Sequence, residues 1–156
     1  MKRKLGLDVG DKTIGIAVSD GLGITAQGVT TLLRENTKAD ITALIELIIE
    51  WDVNVLVVGL PKNMNNTEGP QAEKVRAFMK QVDKKLKYSD RLSGRDVTIE
   101  FWDERLSTKL VERTLIEADV SRKKRKKVID KLAAVNILQG FMEKEYSQRR
   151  KENEYE

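Results

Sequence analysis

Residues 4–19 read KLGLDVGDKTIGIAVS. Two short β-type runs, Lys4–Val9 and Thr13–Ser19, flank Gly10, Asp11 and Lys12, a turn signal that predicts a tight antiparallel hairpin. A single carboxylate, Asp8, stands among the apolar and glycine residues of the first run. Burying it there is costly unless it meets a cation or a set of donors. Asp8 is therefore either a turn-forming aspartate that bonds its own backbone or a ligand.

Outward from the hairpin, a third strand is expected over Ile24–Leu33. Asn36 or Thr37 then caps a helix whose apolar positions Ile41, Leu44, Ile45 and Ile48 follow the helical period. Val53–Val58 (VNVLVV) is continuous enough to be a buried central strand. After the polar loop Lys62–Gly69, Pro70 suits the first position of a helix to about Leu86. Val97–Phe101 reads as another strand, Ser107 or Thr108 caps a helix to about Ala118, and a last long helix runs from near Lys126 to about Tyr146. The order β-β-β-α-β-α-β-α-α predicts an α/β fold: a mixed five-stranded sheet, a three-strand antiparallel meander plus parallel strands, with helices on both faces. Ligands in such sheets sit beyond the carboxyl ends of the parallel strands. One domain over residues 1–147 and a frayed polar tail over 148–156 are expected.

Composition narrows the chemistry. The 156 residues include no cysteine and no histidine, which excludes thiol nucleophiles, Ser-His-Asp and Cys-His mechanisms and the usual zinc centres. No apolar run approaches the roughly 18–20 residues that span a bilayer. The basic start, Met1 to Lys4, is followed by no signal-type apolar region, so a cytoplasmic protein without a membrane partner is expected. Net charge is +4, yet Arg122, Lys123, Lys124, Arg125, Lys126 and Lys127 alone carry six positive charges. A concentrated basic patch on a slightly acidic body is either a solvated helix face or a footprint for a polyanion. No aromatic residue interrupts the run, which favours phosphate contact over base stacking.

Acids remain as the candidate machinery. Asp103-Glu104-Arg105 closes the Val97–Phe101 strand, and parity alone does not choose between Asp103 and Glu104 as a ligand. In the last helix, positions 130, 133, 134 and 137 share one face. That face is Asp130, Ala133, Ala134 and Ile137, so it is small and apolar except at its start. Asp8, Glu104 (or Asp103) and Asp130 are thus candidates to converge on one or two divalent cations. Mg²⁺ or Mn²⁺ prefers such oxygen donors with several retained waters, and a pair of these ions can drive phosphodiester hydrolysis. Lys12, Lys62, Asn63 and Arg105, with the basic run, are the candidate nucleic-acid contacts.

Four segments, Gly6–Val18, Val57–Pro70, Trp102–Thr108 and Lys127–Leu138, together resemble the YqgF/RuvX family in order and over nearly the whole chain. The resemblance implies a ribonuclease-H-like fold and a metal-dependent nuclease using the acids at Asp8, Glu104 and Asp130. Members are described as Holliday junction resolvases and as nucleases that mature the 5′ end of precursor 16S rRNA. It implies precursor rRNA or branched DNA as partner, with the ribosome or its small-subunit precursor and a homodimer as further expectations. Two other readings remain: a nucleic-acid-binding module without catalysis, and a single lobe of an actin-type phosphate-binding ATPase, for which the chain is short.

Overall fold

The structure, a computed structural model, describes residues 3–92, 94–104 and 122–154, with the side chains of 122–131 and 154 outside the description. Five strands, β1 (Arg3–Val9), β2 (Thr13–Ser19), β3 (Ala26–Leu33), β4 (Val53–Leu60) and β5 (Thr98–Asp103), form one sheet in the order β3-β2-β1-β4-β5. β1 pairs antiparallel with β2, and β2 with β3; β1, β4 and β5 run parallel. The mixed sheet expected from the sequence is the one observed.

Alternation along the strands gives each face its own core. Leu5, Leu7 and Val9 of β1, Ile14 and Ile16 of β2, and Leu56 and Val58 of β4 pack with Leu44 and Ile48 of α1 (Thr37–Glu50) and Val75 and Met79 of α2 (Pro70–Tyr88). On the other face, Ala17, Val57 and Trp102 meet Ala134, Ile137, Leu138 and Met142 of α3 (Arg122–Glu154). Gly6 sets how closely α3 approaches β1. A Cβ on Gly6 would lie 2.8 Å from the Leu138 Cβ and 2.9 Å from the Ala134 carbonyl oxygen. No rotamer relieves a backbone contact, so any larger residue at position 6 pushes the helix off β1.

Local chemistry explains the boundaries. Asn36 caps α1, its side chain accepting from the Ala39 amide at 2.9 Å, and Pro70 opens α2 as expected. β3 begins at Ala26 rather than Ile24 because the Asp20 carboxylate accepts from the Ile24 amide (2.8 Å) and the Thr25 hydroxyl (2.9 Å), closing a turn there. β4 extends two residues further, to Leu60, and β5 ends at Asp103 rather than Phe101. The last helix is longer at both ends than its apolar period indicates. It starts at Arg122, so the basic run forms its first turns, and it continues through Glu154 where a frayed tail was expected. Strong helix formers and an Arg149–Glu145 pair at i, i+4 suit that extension. The helix expected from Ser107 or Thr108 to Ala118 lies outside the described residues. No helix among those described is long and apolar enough to cross a membrane.

Candidate metal centre

Asp8 lies near the carboxyl end of β1, opposite Gly15 of β2. Register carries the same level across the sheet: Leu7 aligns with Val58, and the next residue of β4, Gly59, aligns with Trp102 of β5. Trp102 faces α3, and Val97 and Ile99 face the other core. By alternation Glu104 follows Trp102 onto the α3 side, which is also the side of Asp8 and Gly6, while Asp103 falls on the side of α2. Glu104 and Asp8 are hydrogen-bonded side chain to side chain.

Gly59 makes this contact available. A Cβ there would lie 2.7 Å from Glu104 Oε1, 2.9 Å from Glu104 Cγ, and against the Ile137 side chain. The Glu104 carboxylate therefore lies back over the bare backbone of β4 toward β1. Burial first, then the Asp8 charge and the hydrogen bond with Asp8, then Asp103, push Glu104 up from 4.5 to about 8. Two carboxylates this close share a proton at neutral pH. Positive charge would be favoured there.

That shift has a consequence for stability. Between pH 4.5 and about 8 the folded protein keeps a proton on Glu104 that the unfolded chain has lost. Stability of the metal-free protein should therefore fall as pH rises through this window. Calorimetry in chelator should show a smaller decline for Glu104→Gln than for wild type. Parallel profiles would mean that Glu104 is not the titrating group.

The turn after Asp8 is fixed from outside the site. Arg34 donates through its guanidinium to the Gly10 carbonyl (2.9 Å) and to the buried Asp40 carboxylate (3.1 Å), and through its amide to the Lys12 carbonyl (2.9 Å). Its guanidinium also lies 4.6 Å from the centroid of the Phe78 ring. Arg34 and Asp40 thus tie the hairpin to α1 and α2. Neither stood out in the sequence, where Arg34 is one cation among many and Asp40 reads as a first-turn helix acid. Gly59 was also missed as a positioning residue; its only sequence signal was a glycine near the end of a β-branched run.

The other expected residues divide. Lys12 is exposed on the hairpin turn beside Asp11, which pairs with Lys74 of α2 at 3.5 Å. Lys62 is half-buried and bridges Glu68 across the loop that leaves β4. Asn63 closes that loop, its amide donating to the Thr67 carbonyl (2.8 Å) and its side chain to the Thr67 hydroxyl (3.1 Å). Arg105 lies outside the described residues. Arg122–Lys127 and Asp130 belong to α3, and their side chains are outside the description. Among the described residues no three metal-ligating side chains gather.

The sequence profile of a family described as RuvX: Holliday junction resolvase matches residues 2–144. The chain belongs to the RuvX family. A protein of Clostridioides difficile named "Putative pre-16S rRNA nuclease" is 60% identical over 141 residues, 90% of this chain and 94% of that one. One of the same name from Desulforamulus reducens is 52% identical over 90% of this chain and 96% of its own. Among solved structures, Thermus thermophilus RuvC in complex with a Holliday junction substrate matches with a TM-score of 0.56 at 12% identity, covering 92% of this chain and 96% of that one. The yeast mitochondrial Holliday junction resolvase gives 0.53 at 13% identity over 90% and 78%. At such identities these two place the RuvX chain in a shared fold and nothing finer.

Proposed function

We propose that this protein is a metal-dependent nuclease of the cytoplasm that hydrolyses phosphodiester bonds in precursor 16S rRNA, at its 5′ end. The observation that carries this reading is the Asp8–Glu104 contact over Gly59, at the carboxyl ends of strands flanking β4. The names of the 60% and 52% identical relatives supply the substrate.

The residues fit a hard cation. All the donors are carboxylate oxygens, and a proton shared between two of them marks where a cation would be favoured. Asp130 completes the proposed set. Ala134 lies against Gly6, and position 130 is one helical turn earlier on the same face. Rise per residue makes that turn about 6 Å, matching the two strand residues from Gly6 to Asp8. Asp8, Glu104 and Asp130 would hold Mg²⁺ or Mn²⁺, which when bound activates water and stabilises the leaving oxygen. β1 and the end of β5 fix two of the three acids, and Glu104 would hold a cation in its deprotonated form. Lys12, Lys62 and Asn63 border the same end of the sheet, and the basic first turns of α3 would contact phosphates.

Cleavage of four-way DNA junctions is the second reading, favoured by the description of the family. With Mn²⁺ present, wild-type protein should shorten precursor rRNA at a defined 5′ position and leave junctions intact, and it should do neither in chelator. Junction cleavage without RNA cleavage would replace the first reading with the second. Tight RNA binding with no cleavage under any metal would leave a binding module.

A further inference from the structure

A groove between α1 and α2 collects three lysines that form no ion pair among the described residues. A cavity of about 770 Å³ opens there on Thr37, Lys38, Ile41, Lys84, Lys85 and Tyr88. A second of about 240 Å³ shares Lys38, Ile41, Lys85 and Tyr88 with it, so the two are continuous. No carboxylate lines either one. The cavities farther along α2 do include acids, Asp83 and Asp96 among them.

Neighbouring cations are neutralised by contrast. Lys74 pairs with Asp11, Arg76 with Glu68 and Lys87 with Asp83, and Arg91, which lines the smaller cavity, pairs with Glu46. Lys38, Lys84 and Lys85 are exposed and make no ion pair among the described residues. Tyr88 between them is 79% exposed. Convergent unpaired cations in a concave surface, beside an exposed aromatic ring, match the chemistry of single-stranded nucleic acid: phosphates on the lysines and a base on the ring.

The groove lies on the α1–α2 side of the sheet, whereas Asp8 and Glu104 face α3, so a substrate reaching both must pass over the sheet's upper edge. The groove's upper end, Thr37 and Lys38, directly follows the segment in which Arg34 binds the carbonyls of Gly10 and Lys12, two to four residues beyond Asp8. We propose that this groove holds a single-stranded stretch of the substrate RNA outside the scissile bond. The assignment rests on the nuclease reading for what occupies the groove.

The test compares wild type with a Lys38→Gln/Lys84→Gln/Lys85→Gln variant and with Tyr88→Ala. Affinity is measured at several salt concentrations for precursor rRNA with its single-stranded flank and for a short oligonucleotide that spans only the cut. Each single-strand phosphate contact contributes about 0.7 to the slope of log affinity against log salt, so the triple variant should lose about 2 units on the long RNA. Its slope on the short oligonucleotide should match wild type. Tyr88→Ala should weaken the long RNA about tenfold with an unchanged slope. Superimposable slopes on the long RNA overturn the proposal, as they would if the groove served an acidic protein instead. Equal losses on both RNAs also overturn it. If wild type cleaves no RNA yet the slopes differ as expected, the groove stands and the nuclease reading fails.

Discussion

Asp8→Asn and Glu104→Gln are each expected to lower metal-dependent cleavage at least about a thousandfold. Bound cations contribute several kcal/mol of charge stabilisation at the transition state, and each 1.36 kcal/mol is a factor of ten. Removing one of two carboxylates in contact dismantles the cradle for that charge. The same substitutions should not unfold the protein. Burial first and then the Asp8 charge raise Glu104 to about 8, so above that pH, where both acids would be charged without a cation, Asp8→Asn should raise the melting temperature in chelator. Activity and metal-free stability therefore move in opposite directions. A variant that lost both together would indicate a structural acid pair.

Gly59→Ala is the second large effect, and it separates positioning from stability. The added methyl would meet Glu104 Oε1 at 2.7 Å and Cγ at 2.9 Å, and would press on the Ile137 side chain. Both neighbours are side chains able to swing away, so the fold should survive with a modest drop in melting temperature. The Glu104 carboxylate, however, cannot stay over β4 beside Asp8. A displacement of about 1 Å in a reacting group can cost a hundredfold, and a loss of that order in cleavage rate is expected. Gly21→Ala, at a position with open space around it, should leave the rate unchanged. Wild-type cleavage by Gly59→Ala would show that the Glu104 placement over β4 is not the active one.

The hairpin was legible because its signals are local. Alternating β-branched residues, a Gly-Asp-Lys turn and an isolated carboxylate all lie within sixteen residues, and β1, β2 and Asp8 stand where those signals put them. The caps of α1 and α2 were legible for the same reason. The start of α3 was not: six consecutive basic residues carry no apolar period, and what makes them helical is continuity with the packed segment that follows.

The choice between Asp103 and Glu104 was illegible for a different reason. Alternation correctly groups Asp103 with Val97, Ile99 and Phe101, but the sheet is covered on both faces, and apolar residues line each. Which face shares a side with Asp8 depends on β1 and β5 both pairing with β4, and on Trp102 packing under α3. Gly59 and Arg34 also act on residues far from them in sequence. The sequence shows residue types, whereas their roles come from contacts 24 to 45 positions apart, such as Arg34 with Gly10 and Glu104 with Gly59.

The central claim is that three acids from β1, the end of β5 and α3 form one catalytic metal site. Asp130→Asn tests it most directly, because that acid joins the proposed set on helix spacing alone. The measurement is the Mn²⁺-dependent rate of precursor rRNA cleavage at saturating substrate, with Mn²⁺ affinity followed by calorimetry on the same preparations. The account predicts a loss of about a thousandfold or more in rate and weakened Mn²⁺ binding, while RNA affinity and melting temperature in chelator are retained. Cleavage by Asp130→Asn at the wild-type rate with unchanged Mn²⁺ affinity would contradict it.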